Sequence, residues 1–318
     1  YKINGMSVDT MINVMSWAKS TNGGQSWTKP SDNTIGKVIY DISEGMDLSD
    51  FYDKQWMASD YSNSSYSGST YLSLSHLKTD DYNIELYYKR ENDDVFSKKP
   101  TRVNSKQYVM TQFSNMDVDS DGNIHVIFWG TEDYINNSLY HTYSEDGGIT
   151  FHPETKITDF SFSGSTMLPG NSGDRHNGMN PDRLYPCPQL AVDKSGGIND
   201  GNLYITWTAI GVNNNSGNGL DVYLSKSDDN GTTWSQPKII HDDLKGRVNS
   251  QFYSSISVNP NGVVILAWYD RREDNQDFNT DYYMTFSFDG GDTFIKNFKI
   301  NTIASDFNYI GELNNNFG

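Results

Sequence analysis

The chain has 318 residues, enough for one large core or two ordinary domains, and all-β units reach this length as a single domain. Its 24 Lys and Arg stand against 41 Asp and Glu, a formal net charge of −17, which argues against a nucleic-acid or anionic-membrane partner because phosphate binding needs a basic footprint. Cys187 is the only cysteine, so no intrachain disulfide can form, and no apolar run reaches the roughly 18 residues of a membrane span.

In chain order, Met11 to Tyr40 reads as two strands around the turn STNGGQSW at 20–27. Four longer units follow at 51–104, 108–158, 186–241 and 251–302. Each opens with a hairpin of alternating β-branched and aromatic residues around an Asp, Asn and Gly turn: WMASD from Trp56, MDVDSDGNIHVIFW from Met116, LAVDKSGG from Leu190 and ISVNPNGVVILAW from Ile256. The last three units carry a second turn, SEDGGITF at 144–151, SDDNGTTW at 227–234 and SFDGGDTF at 287–294, and the first carries a degenerate copy, KRENDDVF at 89–96. Tyr309 to Leu313 reads as one more strand. Helical periodicity with caps is absent throughout.

The second turn has a chemistry. An Asp or Asn bonds nearby backbone, a Gly takes positive φ, a Ser or Thr closes the loop, and the terminal aromatic anchors the next strand in the core. One unit is therefore strand A, hairpin turn, strand B, loop, strand C, Asp-box turn and strand D. That is a four-stranded blade, and the expected fold is an all-β, six-bladed β-propeller forming a single domain over 1–318, with a closing blade shared by the two termini.

These turns, at blade spacing, resemble the Asp-box (BNR-repeat) proteins of the sialidase superfamily over essentially the whole chain. DKQW at 53–56, PQLAVD at 188–193, WYDRRED at 268–274 and DFNYIGEL at 306–313 are similar to a secreted bacterial branch of it. The resemblance implies a glycoside hydrolase of the exo-α-sialidase type acting on acidic sugars. The chain departs from the sialidase pattern in having no Arg-x-Pro motif and only seven arginines, Arg90, Arg102, Arg175, Arg183, Arg247, Arg271 and Arg272, where a carboxylate clamp needs three. The competing reading is a non-catalytic binding or structural module of a larger surface protein.

Strand reversal puts the A–B turns and Asp boxes at one end of each blade and the B–C and D–A loops at the other. The longer loops mark the working face. Candidate catalytic groups there are Asp53, Asp182, Asp270, Glu273 and Tyr309, since hydrolysis needs two carboxylates, or a Tyr with a carboxylate, across a glycosidic bond. Candidate substrate-binding groups are Lys54, Arg175, His176, Arg183, Arg271 and Arg272, with adjacent Asp–Arg pairs tying blades together as the competing role for the last two.

DVDSDGN at 117–123 resembles the start of an oxygen-rich calcium loop through Asp117, Asp119 and Asp121, although Phe128 occupies its twelfth position. A plain A–B hairpin turn is the favoured alternative. No cofactor is required on this reading, and calcium is the one cation it admits. The tryptophans at recurring blade positions are expected to pack rather than to stack on sugar. The expected partner is a carbohydrate or glycoprotein, and the expected location is secreted or at the cell surface. Tyr1 falls within patterned sequence with no leader-like layout, as expected of a mature or trimmed product.

Overall fold

The computed structural model describes residues 10–30, 33–41, 50–78, 81–133, 135–161, 184–213, 215–243 and 249–306, and these form antiparallel strands without a helix. Strands β1 (Thr10–Ser16) and β2 (Thr34–Asp41) pair around the first Asp box. Four complete four-stranded meanders follow. The first comprises β3 (Phe51–Ser59), β4 (Thr70–Leu77), β5 (Asn83–Lys89) and β6 (Thr101–Arg102). The second comprises β7 (Met110–Val118), β8 (Ile124–Thr131), β9 (Asn137–Ser144) and β10 (Thr155–Ser161). The third is β11 (Gln189–Val192), β12 (Leu203–Val212), β13 (Asn215–Ser227) and β14 (Lys238–Ile239). The fourth is β15 (Gln251–Val258), β16 (Val264–Asp270), β17 (Asn279–Ser287) and β18 (Phe298–Lys299). A short β19 (Ser305–Asp306) pairs back onto β17.

All four meanders coincide with the units expected from the repeat. Their first strands adjoin in sequence order, β3 against β7, β7 against β11 and β11 against β15, so the sheets stand as successive blades. The core lies in slabs between them: Tyr71, Leu86, Met116, Val126 and Phe128 join the first blade to the second. Ile127, Trp129, Leu190, Val192 and Trp207 join the second to the third, and Tyr204, Leu224, Leu266 and Trp268 the third to the fourth. Covered on both faces, β12 reads LYITWTAIGV without alternation. Its two buried threonines bond the next blade, Thr206 Oγ1 to Ser254 Oγ at 2.8 Å and Thr208 Oγ1 accepting from Tyr253 N at 2.9 Å.

The four full Asp boxes share one hydrogen-bond network. Ser20, Ser144, Ser227 and Ser287 each accept at Oγ from a Gly N–H four residues on, at 2.8, 2.9, 2.9 and 2.8 Å, and each donates to the Asn or Asp two residues on. Phe151, Trp234 and Phe294 pack against the inter-blade cores as expected, and Phe96 of the degenerate copy is buried. Trp27 is the exception at 65 % exposed. The boxes explain the difference, because the other three seat their turns against the preceding blade: a Cβ on Gly231 would meet the His141 ring at 2.1 Å, whereas one on the equivalent Gly24 would meet only Trp27 of its own turn, at 4.0 Å. Among the described residues, no blade precedes β1.

Candidate functional site

Side-chain contacts confirm which end is structural. Ser120 Oγ donates to Asp200 Oδ1 at 3.3 Å, linking A–B turns of adjacent blades, and Arg90 Nη2 donates to the Gly147 carbonyl at 2.8 Å, linking a degenerate box to a full one. The opposite end carries the B–C and D–A loops.

Toward that end, the chain breaks in the same way in or just before every first strand. Lys54, Phe113, Cys187 and Tyr253 all have positive φ, at 53, 57, 41 and 48°, and each lies six residues before the hairpin Asp or Asn at 60, 119, 193 and 259. Pairing slips at three of these points, between Asp53 and Trp56, Gln112 and Asn115, and Phe252 and Ser255. Non-glycine residues in this region cost of order 1–3 kcal/mol each and persist where surrounding structure over-determines them; here a bulge re-aims a side chain on three of the first strands, and Cys187 turns the chain just before the other, β11.

The result is a small cleft. Lys54 Nζ stands 4.9 Å from the ring centroids of both Phe113 and Tyr185, which are themselves 4.7 Å apart. Asp53 Oδ1 accepts from Lys54 N at 2.9 Å, and its other oxygen lies 4.0 Å from the ammonium. The cleft, about 220 Å³, is completed by Trp56, Asn115, Cys187 and Gln189. Burial pushes the Cys187 thiol up to about 12, against the opposing pull of Lys54, so it is an un-ionised wall rather than a nucleophile. A partly covered cation braced by two rings, with a half-exposed carboxylate beside it, can hold an anionic, hydroxylated ligand.

Of the expected site residues, Lys54 lines this cleft and Asp53 contacts that lysine from outside the lining. Asp270, Arg271 and Arg272 turn into the fourth blade instead of forming an open clamp, while Glu273 is exposed beside them. Asp270 is fully buried and accepts from Trp268 Nε1 at 2.8 Å, Arg272 N at 2.8 Å and Arg272 Nη2 at 2.7 Å. Arg271, also fully buried, donates from Nε to Thr280 Oγ1 at 2.9 Å and from Nη1 to the Asp277 carbonyl at 2.6 Å. Arg272 also meets Asp242 and lies over the Tyr283 ring, while Glu273 accepts from Tyr283 and Lys299. The pairing lies inside the fourth blade, joined by Asp242 of the loop that precedes it.

Asp117, Asp119 and Asp121 do not converge. Asp117 binds Val192 N and Lys194 of the next blade, and Asp119 turns inward to Asn123 and His125. Among the described residues, no group of three His, Cys, Asp or Glu side chains is arranged to hold a metal ion. Asp182, Arg175, His176, Arg183 and Tyr309 lie outside the described residues.

Trp129, Trp207 and Trp268 are buried as expected, but Trp56, 39 % exposed, lines the cleft and so departs from a purely packing role. Phe113 was not legible as a site residue from a single hairpin; its signal is the shared six-residue offset from the turn.

Comparison places this architecture. No family model and no curated protein matches the sequence. Among solved structures, a protein of unknown function from Dyadobacter fermentans superimposes with a TM-score of 0.50 and 14 % identity, covering 80 % of this chain and 70 % of that one. The Hadza microbial sialidase Hz136 gives 0.53 and 13 %, over 91 % of this chain and 52 % of the sialidase. The fold is similar to that of the sialidase Hz136. An α-L-arabinanase from Penicillium chrysogenum is similar at 0.47 and 10 %, over 74 % of this chain and 63 % of that one. The chain spans about half the length of the sialidase Hz136, and at these identities the likeness concerns fold alone.

Proposed function

We propose that this chain is a secreted, carbohydrate-recognising propeller whose working face takes an acidic sugar and hydrolyses its glycosidic bond. The observation that carries this reading is the Lys54 ammonium braced between Phe113 and Tyr185 with Asp53 beside it, at the loop end of strands that adjoin one another. An ammonium with its flank covered by rings pairs with a ligand carboxylate in a setting less screened than open surface. Trp56 offers an apolar ring for a sugar face.

In the full architecture we place six blades, with β1, β2 and residues following β19 contributing to closure. A groove of about 870 Å³ between β1 and β3, lined by Met15, Trp17, Trp56, Met57, Leu72 and Phe96, is where strands of a closing blade would lie. Calcium is proposed only as an ion of so acidic a surface, not as a catalytic cofactor.

A glycan array probed with the wild-type chain and Lys54→Met, followed by turnover of fluorogenic sialosides, tests the reading. Binding of carboxylate-bearing glycans that Lys54→Met abolishes supports it. Wild-type chain that neither binds nor cleaves any acidic glycan refutes it.

The second reading, a non-catalytic platform, is favoured by one observation: Arg271 and Arg272, which a sialidase-like clamp would require, are already engaged inside the fourth blade. Glycan capture without product release would support it.

A further inference from the structure

The repeat identifies a layer where one blade departs from its neighbours. Near the working end, each blade has a second-strand residue facing, two residues past its partner, a third-strand side chain. In the second and third blades these pairs are Gly130 with Tyr140 and Ala209 with Tyr223, a small residue against a ring. In the fourth they are Asp270 with Tyr283, the Asp being matched by Arg272. In the first blade they are His76 with Glu85.

His76 is buried, and both of its ring nitrogens face carboxylates: Nδ1 lies 2.7 Å from Glu85 Oε1 and Nε2 lies 2.8 Å from Asp50 Oδ1. Tyr87 donates to Glu85 Oε2 at 3.1 Å, and the Tyr52 ring stacks on the imidazole at 4.1 Å. Burial, with Glu85 adding to it, raises the Tyr52 hydroxyl to about 12, so it stays protonated. On the neighbouring strand Arg102, the register partner of Glu85, pairs with Asp81 at 2.9 Å. Glu85, His76, Tyr52 and Tyr87 are shielded, whereas the Asp50 side chain is 47 % exposed, just before β3 on the working face.

Burying ionisable groups costs free energy that an apolar filling avoids. The second and third blades show that the same backbone accepts such a filling. Carboxylates in their ionised form only accept hydrogen bonds, so an imidazole between two of them must share at least one extra proton with the group. The chain of contacts thus runs from a buried Glu through an imidazole to one carboxyl at the surface.

We propose that Asp50 is the proton-transferring group of the working face, with His76 and Glu85 as positioning residues that orient it and hold its proton. This rests on the glycosidase reading above. In the forward step, the Asp50 carboxylic acid gives its proton to the bridging oxygen as the bond from that oxygen to the sugar carbon breaks, the electron pair leaving with the oxygen. The Asp50 carboxylate keeps its hydrogen bond to His76. Water then adds to the sugar carbon and returns one proton to Asp50, so that glycoside and water become two alcohols and the acid is restored.

The test uses paired aryl glycosides of sialic acid and of neutral pentoses, each sugar carried on phenol and on 2,4-dinitrophenol. Departing phenol needs a proton and dinitrophenolate does not, so Asp50→Asn should slow the phenyl substrate by at least about 100-fold and the dinitrophenyl substrate far less. His76→Gln should lower kcat more than KM on the phenyl substrate and move the pH profile, with Glu85→Gln shifting it in the same direction. Asp50→Asn lies at the surface and tests the proposal even where His76→Gln unfolds. Equal effects of Asp50→Asn on both leaving groups, or none, would overturn the assignment of Asp50 while leaving the glycosidase reading standing. Wild-type chain inert on every pair would overturn both.

Discussion

His141 Nε2 lies 3.0 Å from His125 Nδ1 in the interior of the second blade, and a Cβ on Gly231 of the next blade's Asp box would fall 2.1 Å from His141 Nδ1. The two imidazoles thus connect Asp119, bonded to His125 Nε2 at 3.2 Å, to the neighbouring turn. Trp234 meets the His141 ring edge-on at 5.5 Å, and Tyr143 stacks beside both rings.

Burial, then the adjacent His125, hold His141 well below the ordinary histidine value of 6.5. The unfolded chain therefore binds a proton below about pH 6.5 that the folded chain refuses, so stability present above that pH is lost as pH falls until the folded value is reached. Each such group contributes a slope of about 1.4 kcal/mol per pH unit within its window. Urea midpoints measured between pH 7 and pH 5 should fall in wild type, and His141→Gln should flatten that fall. An unchanged slope in the variant would assign the pH dependence elsewhere.

Asp146, Asp229 and Asp289 give the boxes a second acid window. Burial would raise Asp146 and Asp229, but hydrogen bonds from Thr and Ser hydroxyls and backbone N–H groups outweigh it; in Asp289 the Thr293 hydroxyl leads, and all three are held below the usual carboxylate value of 3.8. Depressed carboxylates add stability above that value and lose it as pH falls through their folded values. Replacing all three with Asn should remove the part of acid unfolding below about pH 4 while leaving the histidine-linked part above pH 5, as read by circular dichroism across the titration.

Glycines in the boxes should differ sharply in cost although their backbone conformations match. Gly231 has φ of 78° and would drive its Cβ into His141, while Gly24 has φ of 84° with only the edge of Trp27, at 4.0 Å, nearby. Gly24→Ala should cost roughly 1 kcal/mol, the backbone penalty alone. Gly231→Ala should cost at least about 3 kcal/mol, because backbone strain and overpacking add. Chemical denaturation of the two variants against wild type measures the difference.

Much of the blade order was legible because each strand break carries its own local chemistry: Asp, Gly and Thr at fixed offsets dictate the turn before any tertiary contact forms. The site was less legible. Asp53 and Lys54 stood out as charges at a strand start, but Phe113 and Tyr185 join them only when adjoining first strands bring the bulges side by side. His76 reads locally as an ordinary strand residue in STYLSLSHL, and its role depends on Glu85 and Asp50, which tertiary pairing supplies. Asp270, Arg271 and Arg272 show the converse. A run of charges looked like a clamp in one dimension, while the fold turns Asp270 and Arg271 inward against Trp268, Thr280 and Phe252.

That inward network makes a last prediction that separates stability from function. Asp270 has no exposed surface, and Arg272 reaches it with Nη2 at 2.7 Å while a second carboxylate, Asp242, meets its Nη1. Asp242 and Asp270 hold the guanidinium charged against its burial. Removing one partner leaves a buried charge uncompensated, so Asp270→Ala should destabilise the chain by about 3–5 kcal/mol. Asp270→Asn keeps the shape and should cost less, since its one amide oxygen still accepts from either Arg272 N or Trp268 Nε1, which bond different oxygens of Asp270. Neither change touches the Lys54 cleft, so folded Asp270→Asn should bind acidic glycans as wild type does, whereas Lys54→Met should lose at least about 10-fold in affinity with little change in melting temperature. Calorimetric titration on both variants, alongside thermal unfolding, checks the separation; loss of glycan binding in a fully folded Asp270→Asn chain would return the fourth-blade charges to the site.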